Sequence, residues 1–579
     1  MIRFFRRRRG TTSTSSSMQR LQLEQLEGRL LLSGPGPAGA EPPDGSDELP
    51  ETAAPPAGKE DPSDSPLGAP WSFQWNVGTA TVTAYDLIGG TDISQDDIQI
   101  IEGGNNSISA IIFEGQQAME GLAITVSGAS SVGKIIDARS GAAGDLSFFA
   151  ADCPIGVIKL KSSVLGYGLN GGSMGGLAFA ADVDGDGATD DLTAIYSTDG
   201  VSKIIGLGDV GGDVVLGGDL DVLQTVGGDI DGDVRLTGSD IGKILAVARY
   251  DRGTGLWEGG NVAGDVVASG SIRYVLAKYG SISGDIYAGT EFGVAKAIGG
   301  DVSGEIVSGG DLLVVLAVAN RGQGGAISGT VDAIGDVRVI KAVGGDISAD
   351  VIIDGDLRVA VAVARGGGGG ITGSIDVLGD IVALKAVGGN LSADVDCGSD
   401  LRVAMAVAKG GGGNINGQIN VNGDIVVVKA VGGNVADLVT AGGDCRGIMA
   451  ISRSGSGGNI SGGVTIGQDC RVIKAVGGTV GLPPVTIGGD LGVLVIVNGD
   501  LFAQLSVTGA AAGSNGDIRA VKVVGGNIHG SVAAAGSIGT LASIWRSQGG
   551  NFVGSIVSAE DGISRLHACG NITGSQFNV

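Results

Sequence analysis

Large rings are scarce in this 579-residue chain: aromatic residues make up 4% of it, and histidine occurs twice. A core built on Phe, Tyr and Trp is thereby excluded, and apolar packing falls to small and β-branched side chains. The five cysteines, Cys153, Cys397, Cys445, Cys470 and Cys569, include no CxxC pair and no Cys/His ligand spacing. They specify neither a disulfide framework nor a zinc site. His529 and His567 lie in weakly similar C-terminal units with no Ser or Cys partner arrangement visible, which argues against a hydrolytic triad. Positive charge is also short, because 37 Lys and Arg against 62 Asp and Glu leave a net charge of −25 at pH 7. A nucleic-acid-binding body needs clustered cations, so that class is set aside. Apolar runs such as Leu312 to Ala319 are too short for the roughly 18 to 20 residues of a membrane span, and no transmembrane segment is expected.

Glycine is what the chain has in excess, with 111 residues, while hydrophobic residues still reach 43%. Such apolarity is enough to bury a core, unlike the composition of a disordered chain.

Composition divides the chain into four segments. Residues 1–33 carry Arg6 to Arg9 and a Ser/Thr-rich spacer without the apolar core of an ordinary signal peptide, and read as a basic targeting tail. Residues 34–70 are proline-rich, acidic and aromatic-free until Trp71, an extended disordered linker. Residues 71–206 alternate apolar and polar in short runs such as ATVTAYDLI and SISAIIFE, forming either a β-rich domain or the irregular first coils of the repeat region. From residue 207 to 579 one pattern recurs: Gly, Asp or Asn, Ile or Val, then Gly-Asp-Leu/Ile and a small apolar run. Its steps are about 20 residues, alternating through the middle with steps lengthened at a single place by Gly-rich insertions such as RGGGGG from Arg365 and KGGGGN from Lys409.

A unit of that size with short strands and glycine corners cannot bury its apolar side alone and must stack on its neighbours. The expected fold is all-β, a parallel β-solenoid of about 20-residue coils preceded by a β-rich N-terminal region. Opposite parity of Arg338 and Lys341 in RVIKAV places a corner of the coil between them.

Chemistry concentrates in FAADVDGDGATDDLTAIY. Asp182, Asp184 and Asp186 alternate, Gly187 allows a tight turn, and Asp190 and Asp191 follow, so that several oxygens and the Ala188 carbonyl can surround one Ca²⁺ of structural role. The loop resembles the Asp-rich loop of FG-GAP or VCBS repeats and, in its first half, an EF-hand or dockerin loop. Thr193 stands where an EF-hand has its bidentate Glu. A column from Asp219 and Asp240 through Asp311, Asp336 and Asp356 to Asp490 occupies one slot of successive units, and either caps backbone N–H groups or shares cations. Lys341, Lys385, Lys429 and Lys474, with Arg365, Lys409 and Arg453, form basic columns that offset this acidity or contact a polysaccharide. Cys445 and Cys470 are expected to stack as small buried side chains. GASSVGKI and GYGLNG match P-loop and GxGxxG spacings without a following helix, and are discarded.

Leu26, Glu27, Arg29, Leu31 and Leu32 match the LEPR-x-LL motif of exported planctomycete proteins, with Gly28 in place of the usual proline. This resemblance implies export to the surface or exterior. The repeats resemble those of adhesin-like bacterial β-helix proteins, which implies a non-catalytic structural or adhesion role with extracellular polysaccharide or surface components as partners; exposed solenoid ends separately offer a route to self-association. The competing class is a β-helix polysaccharide lyase or hydrolase, and the irregular stretch with Tyr250, Asp251, Arg252, Trp257 and Glu258 is its best site.

Overall fold

The computed structural model describes residues 72–579 apart from 88–93, 116–121, 140–145, 166, 169–171, 175–176, 180–191, 321, 365–367, 409–411, 453–456 and 546–549. One coil shows how the repeat folds. Ile282 makes a single bridge, Ser283 to Asp285 turn, Ile286–Ala288 is a three-residue strand, Gly289 to Glu291 turn, and Phe292–Ile298 is a seven-residue strand. Ile282, Ile286, Ala288, Phe292, Ala295 and Ala297 are all buried, as period-two alternation requires of the inward face. In the long strand the alternation breaks once. Gly293 and Val294 both face out before burial resumes at Ala295. The same break puts Arg338 and Lys341 both on the outside, with Ile340 buried between them; the corner expected from their parity is absent, because Val337–Val343 is one continuous strand whose alternation breaks once.

Successive coils pair in parallel and in register. Phe292 stands between Ile272 and Leu312, Ile286 between Val266 and Ile306, and Ile282 between Val262 and Val302. Three ladders therefore run along the molecule: long strands, short strands and single bridged residues. Residues 72–579 form a parallel β-solenoid of about twenty coils, and a rung spacing of about 4.8 Å makes this unit a rod of roughly 95 Å. Stacked coils leave little room at their corners. A Cβ on Gly304 would lie 2.0 Å from the carbonyl oxygen of Gly284 in the preceding coil, which only glycine avoids.

From Leu220–Val226 onward, the corner after the long strand turns through a left-handed residue. Short coils use glycine there, as at Gly344 (φ +97°) and Gly388 (φ +99°). Long coils instead insert residues between the strand and the next bridge, as between Val363 and Ile371, and close with left-handed Gly369 (φ +73°). Two coils place a larger residue in the glycine slot, Tyr279 (φ +65°) and Asn498 (φ +56°).

Most strands of residues 72–206 belong to the same ladders, while Gly172–Met174 and Leu177–Phe179 pair with each other in a separate antiparallel sheet. Leu122–Ser127, Phe148–Ala151, Leu192–Ser197 and Asp213–Leu216 pair successively in parallel. The first strands reverse direction: Ser72–Val77, Ala80–Asp86 and Leu122–Ser127 are antiparallel, as are Ile98–Glu102 and Ile108–Phe113. These hairpins cover the ladder edges that the first parallel coil would otherwise expose.

Candidate functional site

The proposed calcium ligands Asp182, Asp184, Asp186, Ala188, Asp190 and Asp191 lie outside the described residues, as do the basic tail and Arg365, Lys409 and Arg453. Among the described residues no group of three or more His, Cys, Asp or Glu side chains could hold a metal ion.

The acidic column is resolved in detail, and its geometry is that of turn capping. Asp380 Oδ1 accepts the N–H of Asp400 at 3.0 Å, and Asp400 Oδ1 accepts the N–H of Asp424 at 2.8 Å. The same contact recurs coil after coil from Asp311 to Ser537. Where the first polar slot holds asparagine, the amide does the same work: Asn414 Oδ1 accepts the Asn434 N–H at 2.8 Å and Asn434 Oδ1 the Asn459 N–H at 2.9 Å. A third column, not apparent in the sequence, precedes the short strands. Asp233, Asp265 and Asp285 each accept the N–H of the next coil's acidic residue at 2.7 Å. Its only signal is the residue before each short apolar triplet, which is Asp, Glu, Ser, Thr or Gln on most coils but Leu438, Gly463 and Pro484 on three successive ones.

This third column contains one of the two carboxylates among the described residues held above their ordinary value, the other being Asp231. Burial pushes Asp265 above the ordinary carboxylate value, with the charges of Asp233 and Asp285 adding to it. Beside it, the Tyr287 hydroxyl donates to Glu305 Oε2 at 2.8 Å. Burial and that bond push the tyrosine up. These carboxylates follow one another along successive coils of one column.

The irregular stretch is a two-stranded hairpin, Arg249–Tyr250 against Trp257–Glu258. Asp251 is spent on its own turn, its Oδ1 accepting the Gly253 N–H at 2.8 Å and its Oδ2 the Thr254 N–H at 3.0 Å. Those bonds hold its pKa below the ordinary value. The rings define the hairpin instead. Trp257 stacks on Tyr279 with centroids 3.9 Å apart and planes at 16°, and Tyr250 lies against Trp257 at 5.3 Å. Tyr250, Leu256 and Trp257 remain 48%, 64% and 41% exposed. The result is a rigid apolar knob in a chain poor in rings.

Two clusters carry no sequence motif. In the first coils Asp137 and Arg139 form a buried pair, Arg139 Nε donating to Asp137 Oδ1 at 2.9 Å, while Lys161 Nζ donates to the Arg139 carbonyl at 2.6 Å. Burial raises the Asp137 pKa, but the Arg139 hydrogen bond and charge outweigh it and leave the group below its ordinary value. At the other end His567 Nε2 lies 3.2 Å from Cys569 Sγ, both exposed, the histidine on a short strand and the cysteine just past its end. Alternation along a strand brings residues two apart to one side, and that spacing is the one signal the sequence holds for this pair. Cys445 and Cys470 bridge neighbouring coils as buried free thiols, as expected. The Cys445 contact and burial push the Cys470 thiol up.

Positive charge is sorted onto one face. From Ile272 onward no long strand contains Asp or Glu, while its outward positions carry Arg338, Arg358, Arg402, Arg446, Arg471 and Arg519 in one column and Lys296, Lys341, Lys385, Lys429, Lys474 and Lys522 in another. Near the C-terminal end this face hollows into a cavity of about 590 Å³ lined by Arg471, Arg519, Lys522 and Arg565 over a floor that includes Val472, Gly492, Val493 and Gly539.

Comparison with protein-family models, with curated proteins and with solved structures gives no match. The class that the geometry defines is a three-ladder parallel β-solenoid.

Proposed function

We propose that this chain is an exported, surface-associated structural protein of adhesin-like type, a non-catalytic rod that contacts extracellular polysaccharide or other surface components. The observation that supports this reading best is how the carboxylates are used. Column after column, an Asp that could serve as acid, base or nucleophile accepts a backbone N–H of the next coil. Catalysis needs a free group at the reacting atoms, whereas capping needs only an acceptor at each corner, which is what a long regular rod demands. The aromatic knob and the basic face give the rod two surfaces with recognition chemistry. The Asp182 to Asp191 loop is proposed as a structural Ca²⁺ site that secures the early coils, and export rests on the motif at Leu26 to Leu32.

The full chain is to be incubated with acidic and neutral polysaccharides, with and without Ca²⁺, while binding and newly formed chain ends are both measured. Binding without cleavage is expected. New chain ends would replace the reading with that of a β-helix lyase or hydrolase. A melting temperature unchanged by chelator would remove the calcium role.

A further inference from the structure

Deepening that reading, we infer that the hollow at Arg471, Arg519, Lys522 and Arg565 is a binding site for an anionic polysaccharide, one that carries carboxylate or sulfate groups. The shape comes from the repeat. Arg471, Gly492, Arg519 and Gly539 occupy the same outward position of four successive coils, as the pairing of Cys470 with Leu491, Leu491 with Ile518 and Ile518 with Ile538 requires. Each glycine coil leaves a gap between arginines, and the next outward column repeats the plan with Lys474, Val495, Lys522 and Ala542. Arg565 closes the far side beside Ser564.

The charge is uncompensated. No Asp or Glu lines the hollow, and among the described residues none of the four cations is in a salt bridge. In a chain of net charge −25, four cations gathered without a carboxylate define a site for an anion brought from outside. Guanidinium groups suit planar or tetrahedral oxyanions by paired hydrogen bonds.

Spacing favours an extended sugar polymer over a second copy of this chain. Cations recur on alternate coils, roughly 10 Å apart from the rung spacing, a distance matched by a two-sugar advance of an extended pyranose chain. The corner column of a second copy presents a carboxylate on every coil from Asp311 to Asp517, so half of those would face no cation. Val472 and Val493 give the floor apolar surface for sugar C–H faces, and the Thr540 and Ser564 hydroxyls lie within it.

The test measures binding of the full chain to polygalacturonate, to dextran sulfate, to uncharged dextran and to duplex DNA, at low and physiological salt. Wild-type protein is expected to bind one or both acidic polymers, more weakly as salt rises, and to leave dextran and DNA unbound. The two acidic polymers distinguish carboxylate from sulfate. Arg519→Ala with Lys522→Ala is expected to lower that affinity by tenfold or more, at about tenfold per charged hydrogen bond lost, with unchanged melting. Arg338→Ala with Lys341→Ala, on the same face but outside the hollow, should retain it. Equal binding by the Arg519/Lys522 variant overturns the site while leaving polysaccharide contact by the rod intact. Failure of wild type to bind any polysaccharide overturns both. Binding to DNA as strong as to the acidic sugars, or self-association abolished by the Arg519/Lys522 variant with no polysaccharide binding, overturns the assignment of the ligand.

Discussion

The acidic corner column sets two forces against each other, and their balance can be measured. Each Asp contributes an acceptor to the next coil's N–H, as Asp400 does to Asp424 at 2.8 Å, but its charge stands about 5 Å from the charge above and below. At that distance in water each neighbour costs about 1 kcal/mol, because these groups are solvent-facing and the dielectric is high. Replacing alternate members, Asp380, Asp424 and Asp469, by Asn breaks every carboxylate contact from Asp356 to Asp490. Six repulsions disappear, worth roughly 5 kcal/mol at low salt. Three charged acceptors become neutral ones, at about 1 kcal/mol each. The triple variant is therefore expected to be about 2 kcal/mol more stable than wild type near 10 mM salt, and about equal at physiological salt, where a Debye length of about 8 Å halves the repulsion. The asparagine column at Asn414, Asn434 and Asn459 shows that the amide fits the corner. The same three positions changed to Ala lose the acceptor and should fall below the Asn variant by about 1 kcal/mol per site at every salt. The measurement is equilibrium denaturation at both ionic strengths. An Asn variant less stable than wild type at low salt, or a difference that does not shrink with added salt, would refute the balance.

Arg139→Met should cost about 3–5 kcal/mol, because it strands a buried Asp137 charge; a loss below about 1 kcal/mol in a denaturant titration would contradict this. The depressed Asp137 pKa stabilises the fold above the unfolded value of 3.8, and that contribution vanishes as pH falls through the lower folded value. Asp137→Asn should accordingly flatten the acid limb of the stability profile. Tyr279→Gly relieves a left-handed strain of about 1–2 kcal/mol and loses a ring stack worth about 0.5–1.5 kcal/mol, so it should be near neutral. Tyr279→Ala keeps the strain, and thermal melts should rank it below the glycine variant. A thiol reagent should label one cysteine per native chain, the exposed Cys569, and all five after denaturation; two or more labelled in the native state would mean that a coil opens.

The solenoid is legible in the sequence because a coil is a local object: Gly-Asp corners, two apolar runs and a fixed step are read along twenty residues. The insertions are legible for the same reason, whereas parity alone suggests a corner in RVIKAV where a break in alternation keeps the strand continuous. Features that depend on contact between coils are less so. The capping column at Asp233, Asp265 and Asp285 is defined by which residue stands above which, not by any motif. The basic hollow needs Gly492 and Gly539 to lie between arginines, and those glycines look like any others in a chain with 111. The antiparallel hairpins from Ser72 to Phe113 read in the sequence as strands without partners, since nothing local separates a cap from a coil. The buried Asp137–Arg139 pair shows there only as two charges at the end of an apolar run.

The alternation of short and long coils bears on how the chain finds its register. In a stack of identical coils, a strand that lands one rung too far meets the same neighbours, and nothing corrects it. Here the bridges at Ile327, Ile347, Ile371, Leu391 and Ile415 are separated by steps of 20 and 24 in turn. A slip of one rung sets a long corner over a short one, and only a slip of two restores the fit. The Gly-rich insertion thus acts as an indexing tooth, dividing the ways the rod can misassemble before any ligand is met.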